Sequence, residues 1–183
     1  RGRAVDGGRG VEIAVLDAAD DVFIRGDERQ LTSAVGNLVE NAVKYSHPGG
    51  VVQVRTRVDD NGVEVMVADQ GVGIPSRDLD RVFERFYRVD KARSRDTGGT
   101  GLGLSIVRHV ATNHGGEVLV SSTEGEGSTF VLRLPADLVI RADQCIAGKE
   151  ITEPPKLTLR LDAVDFLKLA TNNEKGMDLY IKG

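Results

Sequence analysis

Glycine placement constrains this chain more than any other feature of its sequence. Of the 22 glycines in 183 residues, 19 fall in residues 1–136; only Gly148, Gly176 and Gly183 fall beyond. Many sit in tight groups: Gly71-Val72-Gly73, Gly98-Gly99-Thr100-Gly101-Leu102-Gly103, Gly115-Gly116 and Gly125-Glu126-Gly127. Glycine tolerates positive φ and close backbone approach, and it weakens helix and strand interiors. Such groups mark turns and places where backbone must come near another group. The fall in glycine just after Pro135 sets a domain boundary at residue 136. The extension, 137–183, is too short to be expected to form an independent core.

Composition narrows the class. Hydrophobic residues make up 40% and charged residues 28%, enough apolar surface for a folded core. The lone Cys145 excludes a disulfide framework and a multi-cysteine zinc site. No apolar run approaches the roughly 18–20 residues that span a bilayer, and the polar start, Arg1 to Gly10, is no signal peptide. A net charge of −4 disfavours a nucleic-acid surface. Because the first residue is Arg1, the sequence reads as a piece of a longer protein.

Periodicity supplies the elements. Val11 to Leu16 alternates as a strand. Asp27 is placed to cap a helix, with Gln30 as its reach-back partner. Leu31, Ala34, Val35, Leu38 and Ala42 form that helix's apolar face, and His47-Pro48-Gly49-Gly50 ends it. Val51–Val58 and Val63–Ala68 read as a hairpin around Asp59-Asp60-Asn61-Gly62. A short helix is predicted from Pro75 to about Phe86, and a longer one from Leu102 to about Asn113, ended by Gly115-Gly116. Strands at 117–121 and 129–134 follow. Mixed strands and helices with hairpins predict an α+β fold, a two-layer α/β sandwich.

Three motifs carry chemistry. Asn37, Asn41 and Lys44 share one stripe of the first helix, at the border of its apolar face. Amide oxygens suit Mg²⁺, which shares its ligands with phosphates; solvated helix asparagines are the ordinary alternative. In Asp69-Gln70-Gly71-Val72-Gly73 an aspartate leaves a strand into a glycine turn. A carboxylate only accepts, so it suits the exocyclic amine of adenine and repels the guanine carbonyl; a plain strand-to-loop turn is the alternative. Gly98 to Ser105 opens a helix, whose free N–H groups and dipole attract phosphate. No Lys follows these glycines, which excludes the P-loop, and no G-x-G-x-x-G follows a strand.

In order and type the three motifs resemble the N, G1 and G2 boxes of the GHKL ATPase superfamily, which has the Bergerat fold. The resemblance points to the catalytic ATP-binding domain of bacterial sensor histidine kinases. Val82-Phe83-Glu84-Arg85-Phe86-Tyr87-Arg88 looks like the kinase F box. Asn113-His114-Gly115-Gly116 and Gly125 to Phe130 match the usual family ending, so the likeness covers about residues 10–135. It implies a mixed sheet with helices on one face and an ATP site between helices and a lid. It also implies that Asn41 coordinates Mg²⁺ with Asn37 nearby, that Lys44 lies at the phosphates and that Tyr45 lies at the base. Asp69 would accept from adenine, with Gly71, Gly73 and Ile74 shaping that wall and Thr129 flanking it. Gly99, Thr100, Gly101, Leu102, Gly103 and Leu104 would form the phosphate-side hinge. Residues 88–96 would be the lid, with Arg88, Lys91, Arg93 and Arg95 as phosphate partners, and Phe83 and Phe86 packing its base.

Members that hydrolyse ATP on themselves carry an acid where Asn37 stands, and an amide cannot serve as general base. Asn37 therefore argues for transfer to a protein side chain. The expected catalytic set is Asn37, Glu40, Lys44 and Arg93. The acceptor histidine is expected on a helical dimerisation domain, because His47, His109 and His114 all lack an His-Glu/Asp-x-x-Thr/Asn setting. A response regulator would be reached through the parent kinase, with this domain cytoplasmic and the parent anchored in the inner membrane. The alternatives are an anti-sigma-type serine kinase and a non-catalytic nucleotide-binding module. Residues 137–183 lie outside the kinase pattern. The period-2 run 156–161, the helical stretch 165–170 and the strand start 179–181 weakly resemble part of a sterol-carrier-like domain, which would make the tail a lipid-binding piece.

Overall fold

Leu31, Ala34, Val35, Leu38, Val39 and Ala42 recur at three- and four-residue intervals, and only a helix brings them to one face. In the computed structural model, which describes residues 2–5, 10–16, 22–89, 100–135, 139–141 and 158–160, they are the buried side of helix α1 (Glu28–Tyr45). Asp27 starts the helix, its Oδ1 accepting the Gln30 N–H at 3.0 Å. The expected reach-back takes a different form. Gln30 Nε2 donates to Asp27 Oδ2 at 3.3 Å, and the Asp27 N–H donates instead to His114 Nε2 at 3.1 Å. The His114 Nδ1–H is thereby left to donate to the Val110 carbonyl at 2.9 Å. Ser46, in extended conformation, ends α1 ahead of Pro48.

Around α1 run β1 (Gly2–Val5), β2 (Glu12–Leu16), β4 (Val51–Asp59), β5 (Gly62–Ala68), β6 (Glu117–Thr123) and β7 (Gly127–Pro135). They form one sheet in the order β1-β2-β4-β5-β7-β6. Only β2 and β4 pair in parallel, with α1 in the connection between them; every other neighbour is antiparallel. The sheet is therefore mixed, as expected. Alternate residues Val52 and Val54, Val63, Val65 and Val67, and Phe130, Leu132 and Leu134 turn inward. They pack under α1 and a second helix, α2 (Gly103–Asn113), which contributes Val107, Val110 and Ala111. Burying each such side chain stabilises the fold by about 1.5–3 kcal/mol. The outer face is polar: Arg133 bonds both cross-strand neighbours, Glu64 at 2.9 Å and Glu117 at 2.8 Å.

Several expectations need correction. No α-helix runs from Pro75 to Phe86: one 3-10 turn (Ser76–Asp78) gives way to successive turns, held largely by i to i−3 bonds such as Glu84 N–H to Arg81 O. The chain then reverses at Phe86, which has φ of +65°. This reversal leaves Phe86 70% exposed, while Phe83 packs edge-on to Phe130 with ring centroids 6.3 Å apart. Most of the lid whose base they were expected to pack lies outside the described residues. Residues 1–10 gave no strand signal, yet β1 pairs along β2. A second sheet was also unforeseen. In it β3 (Val22–Arg25) lies between β8 (Val139–Arg141) and β9 (Thr158–Arg160), both antiparallel to it. β9 falls within the period-2 run read from the sequence; the stretches 165–170 and 179–181 lie outside the described residues.

Candidate functional site

The N-terminus of α2 meets the middle of α1. A Cβ built on Gly103 would lie 2.8 Å from Asn37 Oδ1 and 3.6 Å from Asn41 Nδ2, so a side chain there would push the Asn37 amide aside. Asn37 is oriented by its own helix, its Nδ2 donating to the Ser33 carbonyl at 2.7 Å. Asn37, Asn41 and Lys44 are all half-buried, as a stripe bordering the core should be. Glu40 is exposed on the same helix. The Lys44 ammonium sits 5.4 Å from the centre of the Tyr45 ring, which is itself partly exposed.

The start of α2 is open to an anion. Leu102 precedes the helix and offers no capping side chain, and its first turn has no acidic residue. Among the described residues nothing bonds its first N–H groups, which with the positive end of its dipole suit an anionic ligand. Gly101, at φ +71°, and Phe86 are joined by a 2.9 Å bond from Phe86 N–H to the Gly101 carbonyl. This bond closes the stem of the segment between them. Thr100 and Leu104 lie to either side of Gly101 and Gly103. Gly99, Lys91, Arg93 and Arg95 lie outside the described residues. Arg88 lines a cavity of about 490 Å³ with Arg81, Glu84, Arg85, Phe86, Tyr87 and Val89. There the Tyr87 hydroxyl donates to buried Asp78 at 2.8 Å, and Arg81 stacks on the Tyr87 ring. The bond to Asp78, aided by burial, pushes the Tyr87 phenol above its ordinary value.

At the C-terminal end of α1 the Asp69 loop closes in. Asp69 is only 8% exposed, and its Oδ1 accepts the Gly71 N–H at 2.9 Å. Burial pushes its carboxyl up, while the N–H groups of Gly71 and Ser128 and the nearby His47 favour the charged form. A Cβ on Gly71 would collide with the Tyr45 carbonyl at 2.1 Å, and one on Gly73 with the Thr123 carbonyl at 2.0 Å. These glycines are therefore demanded by the protein's own backbone. Thr129 is half-buried and pairs with Ala68, the residue before Asp69. Ile74 N–H donates to Ser122 Oγ at 2.8 Å, and Gly125 N–H to the Val72 carbonyl at 2.8 Å. The β6–β7 hairpin thus buttresses the loop, a support that motif reading missed. Its signal was Ser122, a hydroxyl on the inward side of β6, in step with Val118 and Val120.

The three sequence motifs are therefore brought together along one side of α1. Gly103 abuts Asn37 and Asn41, and Gly71 abuts Tyr45. The eight residue steps from Asn37 to Tyr45 span about 12 Å of helix. His47 and His109 are exposed, and His114 is tied between the two helices.

Comparison with known proteins identifies the family. Residues 26–138 match the family model described as histidine kinase-, DNA gyrase B- and HSP90-like ATPase. The chain is 52% identical over 120 residues to the sensor-like histidine kinase SenX3 of Mycobacterium tuberculosis, covering 66% of this chain and 29% of that protein. It is 44% identical over 142 residues to the phosphate regulon sensor protein PhoR of Pseudomonas aeruginosa, covering 78% of this chain and 32% of that protein. It thus spans about a third of the length of these curated relatives. Among solved structures, the mycobacterial sensor histidine kinase MprB aligns with a TM-score of 0.61 at 38% identity, over 68% of this chain and 83% of that one. Full-length ShkA in complex with AMPPNP aligns with a TM-score of 0.61 at 33% identity, over 73% of this chain and 27% of that one. By fold and sequence, the chain belongs to the histidine kinase-, DNA gyrase B- and HSP90-like ATPase family, and within it to the sensor histidine kinases.

Proposed function

We propose that residues 1–136 bind ATP with Mg²⁺ and transfer its γ-phosphoryl group to a histidine on a helical dimerisation domain of the parent kinase. From there the group passes to a response regulator. In the transfer, a ring nitrogen of the acceptor bonds to the γ-phosphorus, the bond to the bridging oxygen breaks, and ADP leaves. The observation that carries the reading is the contact of the open α2 N-terminus with the Asn37–Asn41 stripe, one end of a site whose other end is Asp69. The donor set fits the nucleotide. A carboxylate has about four acceptor positions, and those not facing Gly71 and Ser128 can take the exocyclic amine of adenine. The α2 N–H groups and Lys44 suit phosphates. An amide oxygen from Asn41 suits Mg²⁺, which would neutralise phosphate charge as transfer proceeds.

Asn37 offers no general base for water, which favours transfer to a side chain over hydrolysis. None of the three described histidines has an acceptor's surroundings, so an added dimerisation domain is the expected substrate. The test is calorimetric titration of ATP with and without Mg²⁺. Asn41→Ala is expected to abolish the Mg²⁺-dependent part of the affinity. Wild-type affinity indifferent to Mg²⁺, or unchanged Mg²⁺ dependence in the variant, would remove Asn41 from the metal site.

A further inference from the structure

We propose that Ser122 is a positioning residue for the nucleotide: its hydroxyl fastens the Asp69–Ile74 loop to the β6–β7 hairpin and so fixes the carboxylate that reads the base. The inference rests on the nucleotide reading above and adds to it a residue outside all the motifs that define the site.

The Ser122 hydroxyl is saturated. It donates to the Gly127 carbonyl at 2.7 Å, accepts the Ile74 N–H at 2.8 Å and meets the Ser128 hydroxyl at 3.0 Å. A hydroxyl has one proton and two lone pairs, so with its proton on Gly127 it accepts from both other partners. Ile74 ends the Asp69 loop; Gly127 and Ser128 begin the strand against which that loop starts. Asp69 N–H donates to the Ser128 carbonyl at 2.9 Å, and Gly127 packs against the Asp69 carbonyl, where a Cβ would lie 2.1 Å away.

The other bonds to loop N–H groups come from backbone carbonyls or from Asp69 itself: Asp69 to Ser128, Gly71 to Asp69 Oδ1, and Val72 to the Tyr45 carbonyl. Ser122 is thus a side chain from outside the loop that accepts one of its N–H groups, that of Ile74. A methyl group in its place would leave a part-buried N–H, a carbonyl and a hydroxyl short of a partner at once. Asp69 is anchored at both ends of this network, so slack in it becomes slack in the carboxylate. An error of position there weakens an adenine hydrogen bond and narrows the preference for adenine over guanine.

The experiment is calorimetric titration of the full chain with Mg²⁺–ATP, and with Mg²⁺–GTP, for wild type, Ser122→Ala, Ser122→Thr, Asp69→Asn and the Ser122→Ala/Asp69→Asn double variant. Ser122→Ala is expected to weaken ATP binding about tenfold, with little change for GTP. Ser122→Thr keeps the hydroxyl and is expected to restore most of the affinity. The double variant is expected to bind no more weakly than Asp69→Asn alone, because Ser122 acts through Asp69. Additive losses would overturn the proposal, as would a Ser122→Ala affinity within twofold of wild type while Asp69→Asn loses ATP. An Asp69→Asn variant that binds ATP normally would overturn the nucleotide reading, and this inference with it. If Ser122→Ala does not fold, Ser122→Cys, of similar size and poor hydrogen bonding, takes its place in the same comparison.

Discussion

Burial and hydrogen bonding pull the Asp69 carboxylate in opposite directions. Burial is the larger effect, and the carboxyl titrates above its ordinary range. A carboxyl raised on folding contributes stability that is fully present in acid and is lost as pH rises through its folded pKa. Asp69→Asn removes the ionisation and keeps an oxygen for the Gly71 N–H. The nucleotide-free variant is therefore expected to match wild type in acid and to melt higher at neutral pH, the margin opening as pH climbs through the carboxylate range. The same variant is expected to lose ATP affinity by about 1.5–3 kcal/mol, the worth of a hydrogen bond to a charged group. Thermal melts across pH, with and without ATP, check both halves; a variant less stable than wild type at neutral pH would contradict the first. The sequence identified Asp69 through the glycine turn that follows it. Ser122 shows there only as a hydroxyl in step with Val118 and Val120, and its role stays hidden because one partner, Ile74, lies 48 residues away.

Glycines in one element need not share a reason, and α1 and the Asp69 loop show the contrast. Gly36 lies inside α1, and a Cβ there would meet nothing within 4 Å. Gly36→Ala is expected to raise stability by about 0.5–1 kcal/mol through helix propensity alone. Gly73 has φ of +65° and a Cβ position 2.0 Å from the Thr123 carbonyl. Gly73→Ala is expected to cost more than Gly36→Ala gains, and to weaken ATP binding by shifting the loop off the hairpin. Denaturant melts and titrations of the two variants would show opposite signs; a neutral Gly73→Ala would mean the loop readily yields. The elements read correctly from sequence were those whose signal is local: the apolar face of α1, the alternation in β5 and β7, and the stop at His47-Pro48. Residues 75–86 misled because Phe83 and Phe86 have helical spacing while the backbone turns. The reversal at Phe86 is held from outside by the Gly101 carbonyl, fifteen residues on.

At the scale of the whole molecule, the sheet of β3, β8 and β9 and the Asp69 loop lie toward opposite ends of α1. β3 enters α1 through Gly26 and Asp27, where His114 binds; the Asp69 loop meets α1 at Tyr45. The eighteen residues of α1 separate these ends by about 27 Å. No local pattern revealed the second sheet, because it joins β3 to strands more than 110 residues later. Its arrangement predicts what the extension does. β8 and β9 cover both edges of β3, and an uncovered strand edge is a template for pairing with other chains. A chain ending at residue 136 is therefore expected to bind Mg²⁺–ATP within about twofold of the full chain, since β8 and β9 pair with β3, which leads into the other end of α1. It is also expected to melt lower and to aggregate sooner at raised concentration. Titration, melting and light scattering of the two lengths side by side would check this. A large loss of ATP affinity without unfolding would show that the extension reaches the site, and the boundary at 136 would then have to move.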